Sequence, residues 1–245
     1  MNTLNIAKEG LSGKSVLVVG GTSGMGLATA QFAQAEGAAV TVIGSNKEKT
    51  ALVTLENGFT AGFAADVTRS EEFIDVLSKV GHVDHLVLLA GSFVFGTVVD
   101  SDMSYLRRAF DERVWAAVTA IKALGDRLDA KASITFISGV LADRPSRGTA
   151  ILASASAAME ALGRGLAIEL APRRVNTIAP GTTNTPLISA VLGDQKTAYL
   201  QSVEEKLPVG QIPSSEHVAN AILFLMKNAV MSGETLHIDG GQRLV

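Results

Sequence analysis

Gly20, Gly21, Gly24 and Gly26 stand together directly behind the apolar run Ser15–Val19, and a helix-like stretch runs on from Gly24 to Gly37. A strand, a glycine turn and a helix in succession can hold a phosphate. The first amides of a helix have no intrahelical partner, and the helix dipole favours negative charge there. The spacing Gly-x-x-x-Gly-x-Gly differs from the Gly-x-Gly-x-x-Gly dinucleotide fingerprint. Such a turn also occurs as a plain joint between strand and helix, but its setting favours a nucleotide. A Cβ at Gly20 or Gly26 is expected to hinder close approach of the backbone to a pyrophosphate.

The second apolar run, Ala39–Ile43, leads into Gly44-Ser45-Asn46-Lys47. An acid at that place would accept from a ribose 2′-hydroxyl, and an arginine would meet a 2′-phosphate. This chain has neither. Ser45, Asn46 and Lys47 can all donate to a 2′-phosphate and no acid repels it, so NADP(H) is expected over NAD(H).

These groups must be positioned by an alternation of short β-branched runs and longer amphipathic stretches. The strands are expected at Ser15–Val19, Ala39–Ile43, Thr60–Ala65, His85–Leu89, Ser133–Ser138, Arg174–Ala179 and Thr235–Ile238. Helices are expected at Gly24–Gly37, Ser70–Val80, Met103–Leu128, Thr149–Leu170 and Ser215–Lys227. Near-continuous apolar strands between helices predict an α/β fold: a Rossmann-type, doubly wound parallel sheet of about seven strands with helices on both faces. The rhythm runs through without a linker, giving one dinucleotide-binding domain over residues 1–245. Residues 182–213, with Pro186, Pro208 and Pro213, break the rhythm and are expected to form a substrate lid.

Composition narrows the chemistry. The chain has 245 residues, no cysteine, a net charge of −3, 47% apolar residues and 18% charged ones. Thiol chemistry and disulfides are excluded, and no basic surface for nucleic acid is expected. His82, His85, His217 and His237 show no metal-ligand spacing, so no metal site is expected. The start of the chain lacks a signal peptide's apolar core, and no run approaches the ~18 apolar residues of a membrane span. A cytoplasmic protein acting on a small molecule, without a membrane partner, is the expectation.

Further marks follow in order. Asp66-Val67 stands after the third strand, Ala90-Gly91 after the fourth, Arg174-Val175-Asn176-x-x-Ala179-Pro180-Gly181 at the sixth, and Asp239-Gly240-Gly241 after the seventh. With the glycine turn, from about Ser12 to Gly241, they resemble the short-chain dehydrogenase/reductase family. The resemblance implies a nicotinamide dinucleotide held by Gly20, Thr22, Ser23, Gly24, Met25 and Gly26 at its phosphates. It implies Ser45 and Asn46 at the adenosine ribose, Asp66 at the adenine amino group and Val67 against the ring. Ala90, Gly91, Pro180, Gly181, Thr183 and Thr185 complete the implied cofactor site. A homotetramer packing the helices at Met103–Leu128 and Thr149–Leu170 is implied as well, and small residues such as Ala157 and Ala161 would let helices approach closely.

The family reduces carbonyls with asparagine, serine, tyrosine and lysine. In the matching register Arg113 takes the asparagine place, Gly139 the serine, Leu152 the tyrosine and Ser156 the lysine. Gly139 and Leu152 are 13 residues apart, as the family's serine and tyrosine are. No tyrosine, lysine or histidine lies between Ala132 and Gln195 to supply the chemistry by a shifted register. Leu88-Leu89 stand where the family has two asparagines, and Val19 where it has a threonine. The acid–base set is therefore expected to be missing.

Two weak catalytic candidates remain. Ser138 is the hydroxyl nearest the empty serine place, or else a strand-end hydroxyl bonded to local backbone; without a base it is a poor proton donor. Arg113 keeps its charge and needs a partner, either a cofactor phosphate, a substrate carboxylate, or Asp111 or Glu112. Ser154 and Ser156 read as small packing residues, Asp143, Arg144 and Arg147 as solvated loop charges, Trp115 as core or subunit-interface packing, and Tyr199 as a lid residue that packs. Two functions compete: an oxidoreductase with an unconventional active site, and a non-catalytic protein that binds the dinucleotide for structure or regulation. The kept glycine turn, Asp66 and Pro180-Gly181 argue against a purely structural subunit.

Overall fold

The computed structural model describes residues 10–245; the start of the chain read above for a signal peptide lies largely outside them. Seven strands, β1 (Ser15–Val19), β2 (Ala39–Gly44), β3 (Ala61–Ala64), β4 (Val83–Leu88), β5 (Leu128–Ile137), β6 (Arg174–Pro180) and β7 (Thr235–Ile238), make one sheet. All pairings are parallel and the order is β3-β2-β1-β4-β5-β6-β7. The helices are α1 (Gly24–Ala35), α2 (Lys47–Asn57), α3 (Ser70–Ser78), α4 (Met103–Phe110), α5 (Ala116–Leu124), α6 (Ala150–Glu169), α7 (Pro186–Leu192), α8 (Lys196–Glu204) and α9 (Ser215–Lys227). This is the doubly wound architecture expected.

The period-2 alternation of a strand sends successive side chains to opposite faces. On β1, Val16 and Val18 join the layer containing Ala30 and Ala33 of α1 and Val218 and Ile222 of α9. Leu17 and Val19 join the other, with Phe73 and Leu77 of α3, Ala117 and Leu124 of α5 and Met159 of α6. Because both faces are covered, the central strands must be apolar at every position. Each fully buried valine or leucine contributes roughly 1.5–3 kcal/mol.

Arginines close the far ends of several helices. Arg174 of β6 donates to the carbonyls of Leu225, Met226 and Met231 at the end of α9. Arg127 donates to Leu77, Val80 and Ala123. Orphan helix carbonyls need such donors, and a guanidinium offers five N–H groups in one plane. At its start α9 carries a reciprocal cap between Ser214 and His217.

Several elements differ from the sequence expectation. Helix α2 was not anticipated, because Leu52 and Leu55 remain exposed and leave no clean apolar face. Its signals were local: Asn46 Oδ1 accepts from Lys49 N–H at 2.8 Å, and Gly58 ends it at φ +64°. The continuous helix expected over Met103–Leu128 is broken by a π turn at Asp111–Trp115, where the amide of Ala116 bonds Asp111 O, five residues back. It ends at Leu124, and Leu128 instead begins β5, paired with Val83. Exposed Lys131 had hidden that early part of the strand. Trp115 is exposed, so it is not a core residue. Helix α6 is long and apolar enough to meet a membrane-span criterion, contrary to the reading of the sequence, but here it packs on β5 and β6. Residues 182–213 contain α7, a 3-10 turn at Gly193–Gln195, and α8.

His85 of β4 is buried, with Nδ1 2.7 Å from Ser133 Oγ. Burial lowers its pKa from 6.5 to about 4, against a smaller opposing pull from Asp84. The folded protein therefore keeps this ring neutral while the unfolded chain protonates it. Its stability contribution is complete above pH 6.5 and declines as the pH falls toward 4. Urea unfolding at pH 7.5 and pH 5 is expected to show a loss of about 2 kcal/mol that His85→Asn largely removes. An equal loss in the variant would rule out His85 as its source.

Candidate cofactor and substrate cleft

A cleft of about 1300 Å³ opens at the carboxyl ends of the strands, lined from the turns after β1, β2, β3, β4, β5 and β6 and from α7 and α8. Strand order reverses between β1 and β4, the place where loops diverge and leave a crevice in an open α/β sheet. The glycine turn lies at its floor. Gly20 has φ +86°, and a Cβ on it would stand 2.8 Å from Ala90 N. A Cβ on Gly26 would overlap the carbonyl oxygen of Gly20. The turn's own backbone crossings by themselves require these two glycines. Gly24, at φ +50°, lies against the side chain of Thr185.

Helix α1 starts without a side-chain cap and has no acid in its first turn. The amides of Gly24, Met25 and Gly26 meet no acceptor among the described residues. An uncapped, positively polarised helix start opening on a cleft fits a diphosphate. Ser23 and Thr22 border the same space, and Ser45 lines it farther along. Asn46 does not line the cleft; its carbonyl oxygen is committed to capping α2.

Asp66 accepts from the amide and hydroxyl of Thr68 at 3.0 and 2.7 Å. Burial alone would raise its pKa, but the Thr68 bonds and Arg69 outweigh that and hold the carboxyl below its ordinary value. It is ionised at neutral pH and suited to accept from an amino group. Val67, Ala90, Gly91, Pro180, Gly181, Thr183 and Thr185 all line the cleft. Thr183 Oγ1 bonds Gly181 O, and Gln242 grips Thr182 through its amide and hydroxyl. Gln242 was missed in the sequence because its sequence separation from Thr182 hides the contact.

Ser138 lines the cleft, yet its hydroxyl donates to Glu160 Oε1 at 2.7 Å and lies 3.1 Å from Ser156 O. Glu160 was also missed. Ser156 is buried and borders the cleft; Ser154, on the exposed face of α6, back-bonds to Ala150 O. Leu152 is buried with Val94, Leu106, Ala109 and Ala155. At Gly139 an added Cβ would find its nearest neighbour, Pro180 O, 3.6 Å away. Tyr105 Oη accepts from Phe95 N–H, a structural role. Asp143 of the loop after β5 lies 3.2 Å from His237 Nε2 rather than in solvent alone.

The π turn brings together a charged group that the sequence showed only in part. Buried Glu112 accepts from Ser92 N–H at 2.5 Å, from Ser92 Oγ at 2.6 Å, and from Arg108 at 2.6 and 3.0 Å. The i,i+4 spacing of Arg108 and Glu112 was the available signal. Among the described residues Arg113 is not paired with Asp111 or Glu112, and its one hydrogen bond runs from Nη2 to Ser92 O at 2.9 Å. Its guanidinium packs on Gly91, where a Cβ would come 2.7 Å from Cζ. Among the described residues lining the cleft, the acids are Asp66 and Glu112, the cations are Arg108, Arg113, Arg144 and Lys206, and the one tyrosine is Tyr199.

The sequence signature described as enoyl-(acyl carrier protein) reductase matches residues 19–243. A short-chain dehydrogenase/reductase of Stachybotrys chlorohalonatus is 32% identical, over 94% of this chain and 97% of the relative. A solved reductase/Diels-Alderase from Malbranchea aurantiaca superimposes with a TM-score of 0.89 at 28% identity, covering 96% of this chain and 98% of its own. A small-chain dehydrogenase solved in complex with NADPH gives 0.82 at 33% identity, covering 95% and 99%. The chain belongs to the short-chain dehydrogenase/reductase family of oxidoreductases.

Proposed function

We propose that the protein is an NADPH-dependent reductase whose active site works without the family's asparagine–serine–tyrosine–lysine set. The observation that carries this reading is the uncapped start of α1 opening on the cleft, beside places where the matching register has no tyrosine and no lysine. The uncapped start of α1 and the ionised Asp66 remain, while Leu152, Gly139 and Ser156 stand at the places of tyrosine, serine and lysine. When bound, the reduced dinucleotide supplies the hydride. Residues Gly20–Gly26, with Thr183, Thr185 and Pro180-Gly181, hold its phosphates and nicotinamide side; Asp66 and Val67 hold its adenine. Ser45, which lines the cleft after β2, can donate to a 2′-phosphate. Residues 182–213 act as the lid over the substrate, with Leu187, Val191 and Tyr199 facing the cleft. The complex of the similar dehydrogenase with NADPH supports the same choice. The protein works in the cytoplasm on a small molecule.

Ser23→Asp tests the cradle without endangering the fold. An aspartate is a good helix N-cap, and stabilises by about 0.5–2 kcal/mol where the native residue gives no cap. The variant is expected to unfold at a higher temperature, and calorimetry is expected to show NADPH binding lost, because the carboxylate occupies the phosphate position. The native protein is expected to bind NADPH more tightly than NADH. Undiminished NADPH binding by the variant would refute the cradle.

Loss of a positioned acid typically lowers rate ~10²–10⁴-fold. Ordinary aldehydes and ketones are therefore expected to turn over barely above background with NADPH. The combined change Gly139→Ser, Leu152→Tyr, Ser156→Lys and Arg113→Asn is expected to raise ketone turnover. Brisk reduction of simple ketones by the native protein would overturn this account. A dinucleotide-binding protein with no turnover at all is the second reading, favoured by the buried apolar packing of Leu152.

The assembly is proposed as a homotetramer. On α6 the residues Ser154, Ala157, Ala161, Gly165 and Ile168 form an exposed stripe of mostly small side chains, and Trp115 is exposed beside the π turn. Light scattering is expected to give a tetramer for the native protein and a smaller species for Ala157→Arg. A native monomer of 25.5 kDa would exclude it.

A further inference from the structure

A serine without a base is a poor proton donor, and the fold gives Ser138 one. Ser138 follows β5 directly, and its amide donates to Ile178 O of β6 at 2.8 Å, which fixes its backbone at the end of the sheet. Its hydroxyl lies 2.7 Å from Glu160 Oε1 and 3.1 Å from Ser156 O. Both are acceptors and a hydroxyl has one proton, so the shorter, charge-assisted bond takes it. What Ser138 turns to any further partner is therefore an oxygen with its proton already committed to a carboxylate. Ser138 is buried and lines the cleft, whereas Glu160, one turn beyond Ser156 on α6, is half-buried and within reach of solvent. Two groups thus connect the cleft to water. The charged residues on the elements packed against this part of α6 are Arg107 and Arg108 of α4 and Asp111, Glu112 and Arg113 of the π turn, with Arg164 one turn on in α6 itself. The carboxyl halves of β5 and β6 carry none. Among the described residues none of these cations forms an ion pair with Glu160; Arg108 is taken by Glu112, and Arg113 bonds Ser92 O.

We propose that Ser138 and Glu160 form the proton path of the hydride-transfer reaction, with Ser138 touching the substrate and Glu160 acting through it. The inference rests on the NADPH-dependent reading above and deepens it. In reduction the carbonyl carbon takes a hydride from the reduced dinucleotide, and the carbon–oxygen π pair moves onto oxygen. That oxygen takes the Ser138 proton while Ser138 Oγ takes the proton of the Glu160 carboxylic acid. Glu160 is left as a carboxylate and regains its proton from water. In alcohol oxidation each step reverses, and Glu160 receives the proton that Ser138 passes on. With Glu160 accepting, as it does here, the pair is set to take a proton, whereas reduction needs the protonated acid. Reduction therefore quickens as the pH falls, and ordinary ketones stay slow at neutral pH. A hydroxyl held between β6 and α6 needs no reordering when the proton moves. Tyr199 and Lys206, which line the cleft from α8 and the turn beyond it, are the competing donors.

Isatin, a flat and strongly electrophilic ketone, is the probe. Its reduction by NADPH is followed from pH 6 to 8 in the native protein, Glu160→Gln, Ser138→Ala, Tyr199→Phe and Lys206→Met. Native kcat is expected to fall with rising pH by up to about tenfold per unit, as a single proton donor requires. Glu160→Gln keeps an acceptor for the Ser138 hydroxyl but cannot carry the proton. It is expected to lower kcat at pH 6 by ~10²-fold, with KM little changed and the pH dependence gone; Ser138→Ala is expected to do the same. A purely structural pair predicts native kinetics for Glu160→Gln, and that result would overturn the inference. So would no reduction of isatin by the native protein, or a pH dependence lost in Tyr199→Phe or Lys206→Met instead. A second readout needs no dinucleotide. With carboxyl-labelled glutamate, the carbon-13 signal that Glu160→Gln removes is expected to move when millimolar isatin is added to the native protein, and to stay in place in Ser138→Ala. An unmoved native signal would also overturn the path. NADPH binding is read separately from nicotinamide fluorescence. Its absence would overturn the NADPH reading, while the carbon-13 signal still decides whether Ser138 couples Glu160 to the cleft.

Discussion

The reversal of strand order between β1 and β4 is the constraint on which the rest of the molecule depends. From β1 the chain builds outward to β2 and β3, and from β4 it builds the other way to β7. Connections that leave in opposite directions cannot cover the strand ends between them, so a crevice is unavoidable there. The glycine turn after β1 and the Ala90-Gly91 segment after β4 meet across that line, so closely that the Cβ missing from Gly20 would touch Ala90. Every group with a chemical role in the cleft is placed by reference to this junction.

Two kinds of glycine follow from it. Gly20 and Gly26 serve the crossing of backbone on backbone, and substituting them would damage the turn whether or not a ligand binds. Gly24 faces Thr185 and belongs to the open side. The same close approach holds at Gly91, where the Arg113 guanidinium takes the space a Cβ would need. A turn shaped by internal contacts is preorganised, so a ligand need not order it. The uncapped α1 amides are then available at once, and an uncapped helix start suits an anion.

The π turn at Asp111–Trp115 does a second piece of positioning. In an α-helix successive residues such as Glu112 and Arg113 point about 100° apart, which separates their ends. Here both side chains reach Ser92, one to its amide and hydroxyl and the other to its carbonyl. Opposite charges thus grip one residue from two sides, and the segment after β4 is fixed beside the glycine turn. Helical insertions of this kind recur at functional sites, where an ordinary helix could not aim the same residues.

What the sequence determined by itself was the architecture and the place of the glycine turn in it. Apolar runs at every position of the inner strands require two covered faces, and the alternation with helices leaves a parallel sheet as the solution. The marks Asp66-Val67, Ala90-Gly91 and Pro180-Gly181 fell at strand ends, so all of them reached one cleft. That Leu152 and Gly139 stand at the places of tyrosine and serine is a reading of the matching register, and the proposed function rests on it. The partners of charge were not legible. Glu112 was read as a possible mate for Arg113, whereas tertiary structure gave it to Arg108 and Ser92 and left Arg113 with one bond. Ser138 found Glu160, and Gln242 found Thr182, across separations that carry no periodic signal. Helix α2 and the break in the helix from Met103 also escaped, since the first has no clean apolar face and the second leaves no mark in the hydrophobic pattern. Side-chain pairing is set by distances of a few ångströms between remote segments, and only the folded chain fixes those.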